Sequence, residues 1–313
     1  MSSSKTQHLV ADQTGISQAA SLLRGGALVA FTTETVYGLG ADARNGAAVA
    51  QVYAAKGRPS FNPLIVHVPD TDSAQKYVEW SDQAQMIADA FWPGALTLVL
   101  PLRKGHGLAS LVTAGLPTLA IRVPNHPTAT ALLRSAEAPV AAPSANPSGQ
   151  ISPTTARHVL AGLDGKIGAV LDDGPCTVGL ESTIVTLAPV PTLLRAGGVP
   201  AEDIEAVLGC PLAVPTSDTI TAPGQLASHY APNAKVRLNA KFADFGEVFL
   251  GFGPMKSDLN LSEAGDLTEA AANLFDYLHR LDESGKPIAV APIPMTGLGV
   301  AINDRLSRAA APR

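Results

Sequence analysis

Only two cysteines, Cys176 and Cys210, occur in 313 residues, and neither sits in a CxxC or a Cys/His ligand spacing. Both read as small apolar residues, and no metal-ligand motif is legible. Aromatics are equally scarce, at 5%, which leaves no basic–aromatic alternation of the kind that stacks unpaired bases. Cationic charge is not in excess either, with 22 Lys and Arg against 27 Asp and Glu and a formal charge of -5. Residues 1–210 hold 13 basic and 16 acidic side chains and residues 211–313 hold 9 and 11, so neither part would bind nucleic acid through bulk charge. No apolar run is long enough to span a bilayer, and the opening MSSSKTQHLVADQTG lacks the apolar core of a signal peptide. A soluble cytoplasmic protein is expected, without membrane partners.

What is present describes a packed globular chain. Hydrophobic residues make up 46% and charged ones 16%, a balance that buries a core and does not support disorder. The length suits one large domain or two ordinary ones, and no repeat or low-complexity tract interrupts it. Apolar strands are expected at ALVAF (Ala27 to Phe31), LIVHV (Leu64 to Val68), LTLVL (Leu96 to Leu100) and TLAIRV (Thr118 to Val123). Further strands are PVAA (Pro139 to Ala142), GAVLD (Gly168 to Asp172), STIVTL (Ser182 to Leu187) and TLLR (Thr192 to Arg195). Helical spacing is expected at residues 16–24, 47–55, 83–91, 128–136 and 154–161. Near-continuous apolar strands interleaved with helices indicate an α/β fold with a mostly parallel or mixed sheet covered on both faces. Residues 210–232 hold four prolines and no sustained period, and read as a linker. Beyond it, a strand at Glu247 to Phe252, a helix at Leu267 to Leu281 and a strand at Pro287 to Ile293 suggest a smaller second α/β unit.

The chemistry concentrates in a few clusters. Thr32 to Val68 reads TTETVYGLGADARNGAAVAQVYAAKGRPSFNPLIVHV, a Gly-rich polar turn, a short helix and a Lys-Gly-Arg triplet between two strands. Lys56 offers a point charge and Arg58 a planar fork suited to phosphate or carboxylate oxygens. Taken alone, Lys56 would simply complement the helix C-terminus. A second cluster tips the balance: Pro143-Ser144-Ala145-Asn146-Pro147-Ser148-Gly149 directly follows an apolar strand, where open α/β sheets usually bind ligands. Gly179 to Thr183 opens another strand. Arg122, inside TLAIRV, requires an anionic partner, either a ligand or a protein carboxylate. His67 in LIVHV faces a similar choice between a satisfied core position and a functional one. Asp172-Asp173 could help place a magnesium ion, but a turn before Gly174-Pro175 is the favoured reading.

These clusters occur together in one known family. TETVYGLG, KGRPSFNPLIVHV, FWPGALTLVL, TLAIRVP, PSANPSG and GLESTIV, in this order and spacing, closely resemble the YrdC-like threonylcarbamoyl-AMP synthases over roughly residues 12–210. APGQLASHYAP (Ala222 to Pro232), followed by a small α/β unit, resembles the two-domain form of that family. The resemblance implies a YrdC-like twisted mixed or parallel sheet with flanking helices at 1–209. It also implies a linker closing over the site at 210–232 and a Rossmann-like α/β domain at 233–313. The implied reaction condenses L-threonine, bicarbonate and ATP into L-threonylcarbamoyladenylate with release of pyrophosphate. A separate transferase complex then uses the product on tRNA beside the anticodon. By motif match, Thr35, His67, Arg122, Ala142 and Ser182 would surround threonine. Arg58, Asn62, Thr118, Ser144, Ser152, Arg195 and Tyr230 would surround ATP, and Lys56, Arg58, Ser144 and Asn146 match the catalytic tetrad. ATP, with magnesium, is a substrate in this scheme; no tightly bound cofactor and no protein metal site is implied, and direct tRNA binding is expected to be weak or absent. Two departures stand out: Thr32 replaces a proline usual in the first motif, and Gln225 to Ser228 are uncharged where many relatives are basic. Two other readings are a non-catalytic RNA-binding module, disfavoured by charge and aromatic content, and a carbamoyl-transfer unit of a multidomain maturation factor, whose additional segments this chain lacks.

Overall fold

The computed structural model describes residues 5–215, 222 and 229–312. Most of the linker, its uncharged stretch Gln225 to Ser228 included, lies outside the described residues. In the first unit the strands are β1 (Gln7–Val10), β2 (Val29–Phe31), β3 (Gly38–Asp42), β4 (Ile65–His67), β5 (Leu96–Pro101), β6 (Thr118–Arg122), β7 (Val140–Ala141), β8 (Ala169–Asp172), β9 (Thr183–Thr186) and β10 (Thr192–Arg195). Its helices are α1 (Gln13–Arg24), α2 (Gly46–Lys56), α3 (Thr71–Ala74), α4 (Asp82–Phe91), α5 (Pro127–Ala136), α6 (Ala156–Leu163) and α7 (Ala201–Leu208). The second unit comprises β11 (Val236–Arg237), β12 (Val248–Gly251), β13 (Leu259–Asn260), α8 (Leu267–Asp282), β14 (Ile288–Val290) and α9 (Leu298–Ala310).

The first sheet has ten strands in the order β1-β8-β2-β3-β7-β4-β6-β5-β9-β10. It is mixed: β1 and β2 run parallel to β8, β4 to β6 and β5 to β9, whereas the remaining neighbours are antiparallel. The second sheet, β11-β14-β12-β13, is parallel throughout. Residues 38–42 correct the expectation of a polar turn. They form a fully buried strand between β2 and β7, and a Cβ on Gly40 would lie 2.9 Å from Val140 Cγ1 and 3.0 Å from Phe31 Cε1. Glycine is required there because neighbouring strands leave no room for a side chain. Strands β1, β11 and β13 and helices α3, α7 and α9 lack a counterpart in the sequence reading.

Local signals explain how the site loops are held. Asn45 caps α2 through its side-chain oxygen, and Gly57 at φ 61° ends the helix in the left-handed conformation. The chain therefore reverses between Lys56 and Arg58. Helix α8 is capped by Asp266 and buries Ala270, Ala271, Leu274, Phe275, Leu278 and Leu281 on one stripe. Val36, Ile151 and Leu180 of the first unit share a hydrophobic cluster with that stripe, so the two units are packed through a common core.

The backbone at 197–199 presses directly on the strand entry at 181–183. Gly198 donates to the Glu181 carbonyl at 3.0 Å, and a Cβ on Gly197 would lie 2.3 Å from that oxygen and 2.4 Å from Ser182 C. Gly197→Ala is therefore expected to destabilise by about 3 kcal/mol, as overpacking with little room to relax. An unchanged urea midpoint would contradict this packing.

Candidate active site

Residues from distant segments meet in a cleft at the strand ends of the first sheet, enclosing about 540 Å³ of non-atom space, open solvent included. Strand register sets its first wall. His67 and Arg122 are paired positions on the parallel strands β4 and β6, so both side chains project from the same face. Arg122 donates to Thr35 Oγ1 at 2.8 Å and to the Gly94 carbonyl at 3.1 Å, and forms an ion pair with Glu34 at 2.6 Å. The buried arginine thus has a protein carboxylate, one of the two options its sequence context allowed. Ala142 and Ser144, just beyond β7, add the adjoining edge.

The second wall forms around the entry to β9. Ser182 Oγ lies 2.7 Å from Thr97 Oγ1, and Arg195 donates to the Ser182 carbonyl at 2.8 Å. Glu181 lines the same cleft, accepting from Ser152 Oγ at 2.5 Å and from Arg305 of α9 at 2.8 Å. Burial pushes the Glu181 carboxyl up, but Arg305 and Arg195 outweigh it and hold the group below the usual range, as an anion. Arg58 lines the cleft while donating to Asn62 Oδ1 at 2.7 Å and to the Pro63 carbonyl at 2.8 Å. Burial foremost pushes its pKa down to about 10, and Arg195 adds to this. A buried cation in that condition is stabilised by any anion that enters. His229 and Tyr230 also line the cleft, Tyr230 at φ 60°.

Nine of the residues expected at the site line this cleft: Arg58, Thr35, His67, Arg122, Ala142, Ser144, Ser182, Arg195 and Tyr230. Five do not line it. Lys56 Nζ donates to the carbonyls of Ser144 at 2.6 Å and Asn146 at 2.5 Å, so its amine holds the Pro-Ser-Ala-Asn-Pro loop, and burial pushes its pKa well below the usual lysine value. Asn146 folds back onto the carbonyls of Pro147 and Gln150. Asn62 orients Arg58, Ser152 orients Glu181, and Thr118 stands half-buried at the start of β6. Sequence reasoning kept His229 beside Tyr230 as a linker contact to the nucleotide, assigned no role to Glu181 or Glu34, and missed Arg305 altogether. Among Asp172 and Asp173, the former accepts from Gly174 N at 3.0 Å and from Tyr37, the arrangement of a turn. Cys176 is buried, whereas Cys210 is half-buried.

Three histidines around the cleft and the unit boundary are neutral. Burial, with Arg122 nearby, pushes His67 down to about 3. Burial likewise brings His229 to about 3, and burial beside the stacked His158 brings His279 to about 4. These folded values lie below the unfolded value near 6.5, so the stability tied to neutral imidazole is complete above pH 6.5. It is lost as pH falls from there toward the folded values, about 3 for His67 and His229 and about 4 for His279, by on the order of 2 kcal/mol per histidine at pH 5. Chemical denaturation at pH 7 and pH 5 checks this, and equal stabilities would contradict it.

The comparisons with known proteins agree on kinship. The Sua5–YciO–YrdC family model, described as telomere recombination, matches residues 21–197, and the model of the threonylcarbamoyl-AMP synthase C-terminal domain matches residues 199–311. A threonylcarbamoyl-AMP synthase of Bacillus subtilis (strain 168) is 41% identical, covering 98% of this chain and 96% of its own length. One from Pyrococcus abyssi is also 41% identical, covering 93% and 92%. The crystal structure of P. abyssi Sua5 complexed with L-threonine superposes with a TM-score of 0.88 at 38% identity, over 97% of both chains. The chain belongs to the threonylcarbamoyl-AMP synthase family, in the form that carries both domains.

Proposed function

We propose that this protein condenses L-threonine, bicarbonate and ATP into L-threonylcarbamoyladenylate and pyrophosphate, the precursor of threonylcarbamoyladenosine in tRNA. The observation that carries this reading is the convergence of Arg58, Arg122 and Arg195, all buried, on one cleft beside the neutral His67. Three guanidinium groups suit a substrate carboxylate and a polyphosphate together. Arg122, Thr35, His67, Ser182 and the Ala142 backbone receive threonine. Arg58, Ser144, Arg195 and Tyr230 receive ATP, which enters with its magnesium as substrate.

The neutral threonine amine attacks bicarbonate carbon, forming the N–C bond and expelling water, and leaves a carbamate. A carbamate oxygen then attacks the α-phosphorus, and pyrophosphate departs. Neither step needs a protein nucleophile, so the protein contributes orientation and charge stabilisation. Lys56, Asn62, Asn146 and Ser152 act one step back, by fixing the loops that carry the contacting groups. Closure by His229 and Tyr230 excludes the water that would destroy the carbamate. The adenylate passes to a separate transferase complex in the cytoplasm, and no helix among the described residues is long and apolar enough to cross a membrane.

Pyrophosphate release from ATP, with threonine or bicarbonate omitted in turn, tests the proposal. Release that needs both supports it; release indifferent to threonine would remove the substrate assignment.

A further inference from the structure

Within the run Leu96 to Leu100 of β5, every side chain is apolar except that of Thr97, which is fully buried. A β-branched side chain suits a strand, but valine would fill the same volume with no hydroxyl to satisfy. The hydroxyl therefore requires a partner, and strand register supplies one. Thr97 is paired with Ile184 on the parallel strand β9, so it shares a sheet face with Ser182, two residues before Ile184. Thr97 Oγ1 and Ser182 Oγ lie 2.7 Å apart, both buried.

The backbone around Ser182 is held by other contacts. Thr183 N donates to the Ala95 carbonyl at 2.9 Å, Gly198 N to the Glu181 carbonyl at 3.0 Å and Arg195 to the Ser182 carbonyl at 2.8 Å. These contacts leave open the direction of the Ser182 O–H, and donor counting settles it. Among the described residues the partner of Thr97 Oγ1 is Ser182 Oγ, so the Thr97 hydrogen goes there. The reverse direction would strand a hydroxyl hydrogen at a fully buried position. Arg195 Nη2 also donates to Ser182 Oγ, at 3.2 Å. With both lone pairs occupied, Ser182 retains its own O–H as a donor, at a position that lines the cleft.

We infer that Thr97 is a positioning residue for the amino-acid substrate. By donating to Ser182 Oγ, it makes Ser182 a hydrogen-bond donor to an acceptor oxygen of bound threonine, its carboxylate or its hydroxyl. Thr97 acts through Ser182 and touches no substrate atom. This role rests on the function proposed above and adds to it the direction of one recognition contact.

Calorimetric binding of L-threonine to the full chain, without ATP, tests this role apart from turnover. Thr97→Val keeps the shape of the side chain and removes its donor. It is expected to weaken L-threonine binding about tenfold, while ATP binding measured alone changes less than about threefold. Thr97→Ser restores the hydroxyl and is expected to bind L-threonine within about threefold of wild type. Ser182→Ala should lose at least as much as Thr97→Val, and combining the two should cost less than about a further twofold, because the path through Ser182 is already gone. Unchanged threonine affinity in folded Thr97→Val would overturn the assignment. So would an equal loss of ATP affinity, or fully additive losses in the double variant, since damaged packing of β5 predicts both. Wild-type protein that binds no L-threonine would overturn the function proposed above together with this role. Wild-type binding that Thr97→Val leaves intact would overturn this role alone.

Discussion

Arg58→Ala is expected to lower threonine- and bicarbonate-dependent pyrophosphate release by at least about a hundredfold, the usual loss when a positioned charge-stabilising donor is removed. Arg58 ends the tight reversal after α2, and three hydrogen bonds from Nε and Nη2 to Asn62 and Pro63 aim its fork into the cleft. Its charged form is disfavoured by burial and by Arg195, so phosphate is the partner that relieves it. Arg58→Lys keeps a charge but loses the planar fork, and is expected to remain at least about tenfold impaired. Steady-state kinetics with a check of the folded state measures both. Normal turnover by folded Arg58→Ala would remove Arg58 from the site.

Arg122 carries the second large effect. Its replacement by methionine alone would strand Glu34, a carboxylate paired with it at 2.6 Å in a buried setting, and the fold would suffer. The informative variant is therefore Arg122→Met with Glu34→Gln, which removes both charges. Threonine KM is expected to rise about a hundredfold, corresponding to a lost charge-assisted contact. ATP binding without threonine should change less than about threefold, because the groups around Arg58 and Arg195 are built from other strands. A matching loss of both affinities would mean that Arg122 serves the cleft as a whole and not the amino acid.

Much of the fold is legible in the sequence because strands buried on both faces, such as LTLVL and TLAIRV, are continuous apolar runs. Residues 38–42 are not, since Gly-Leu-Gly-Ala-Asp has little intrinsic strand preference and becomes a strand through pairing with β2 and β7. The two-residue strands β11 and β13 are too short to carry a period. At the site, Arg58, Arg122 and Ser144 are legible as polar groups beside apolar strands, and motif resemblance groups them by substrate. Lys56 illustrates what one dimension hides. Its position suggests a cation offered to ligand, whereas its Nζ is spent on two loop carbonyls 88 and 90 residues away. Arg305 leaves a readable mark, a charge on the apolar stripe of α9. Its partner Glu181 lies 124 residues earlier, and only tertiary packing joins them.

The most direct test of the central claim follows carbon from bicarbonate. The full chain is incubated with ATP, L-threonine and ¹³C-bicarbonate, and the nucleotide products are analysed by mass spectrometry. The account predicts an AMP conjugate that contains threonine and one labelled carbon, formed together with pyrophosphate. An unlabelled threonyl-AMP, or pyrophosphate release with no threonine-containing nucleotide, would contradict it.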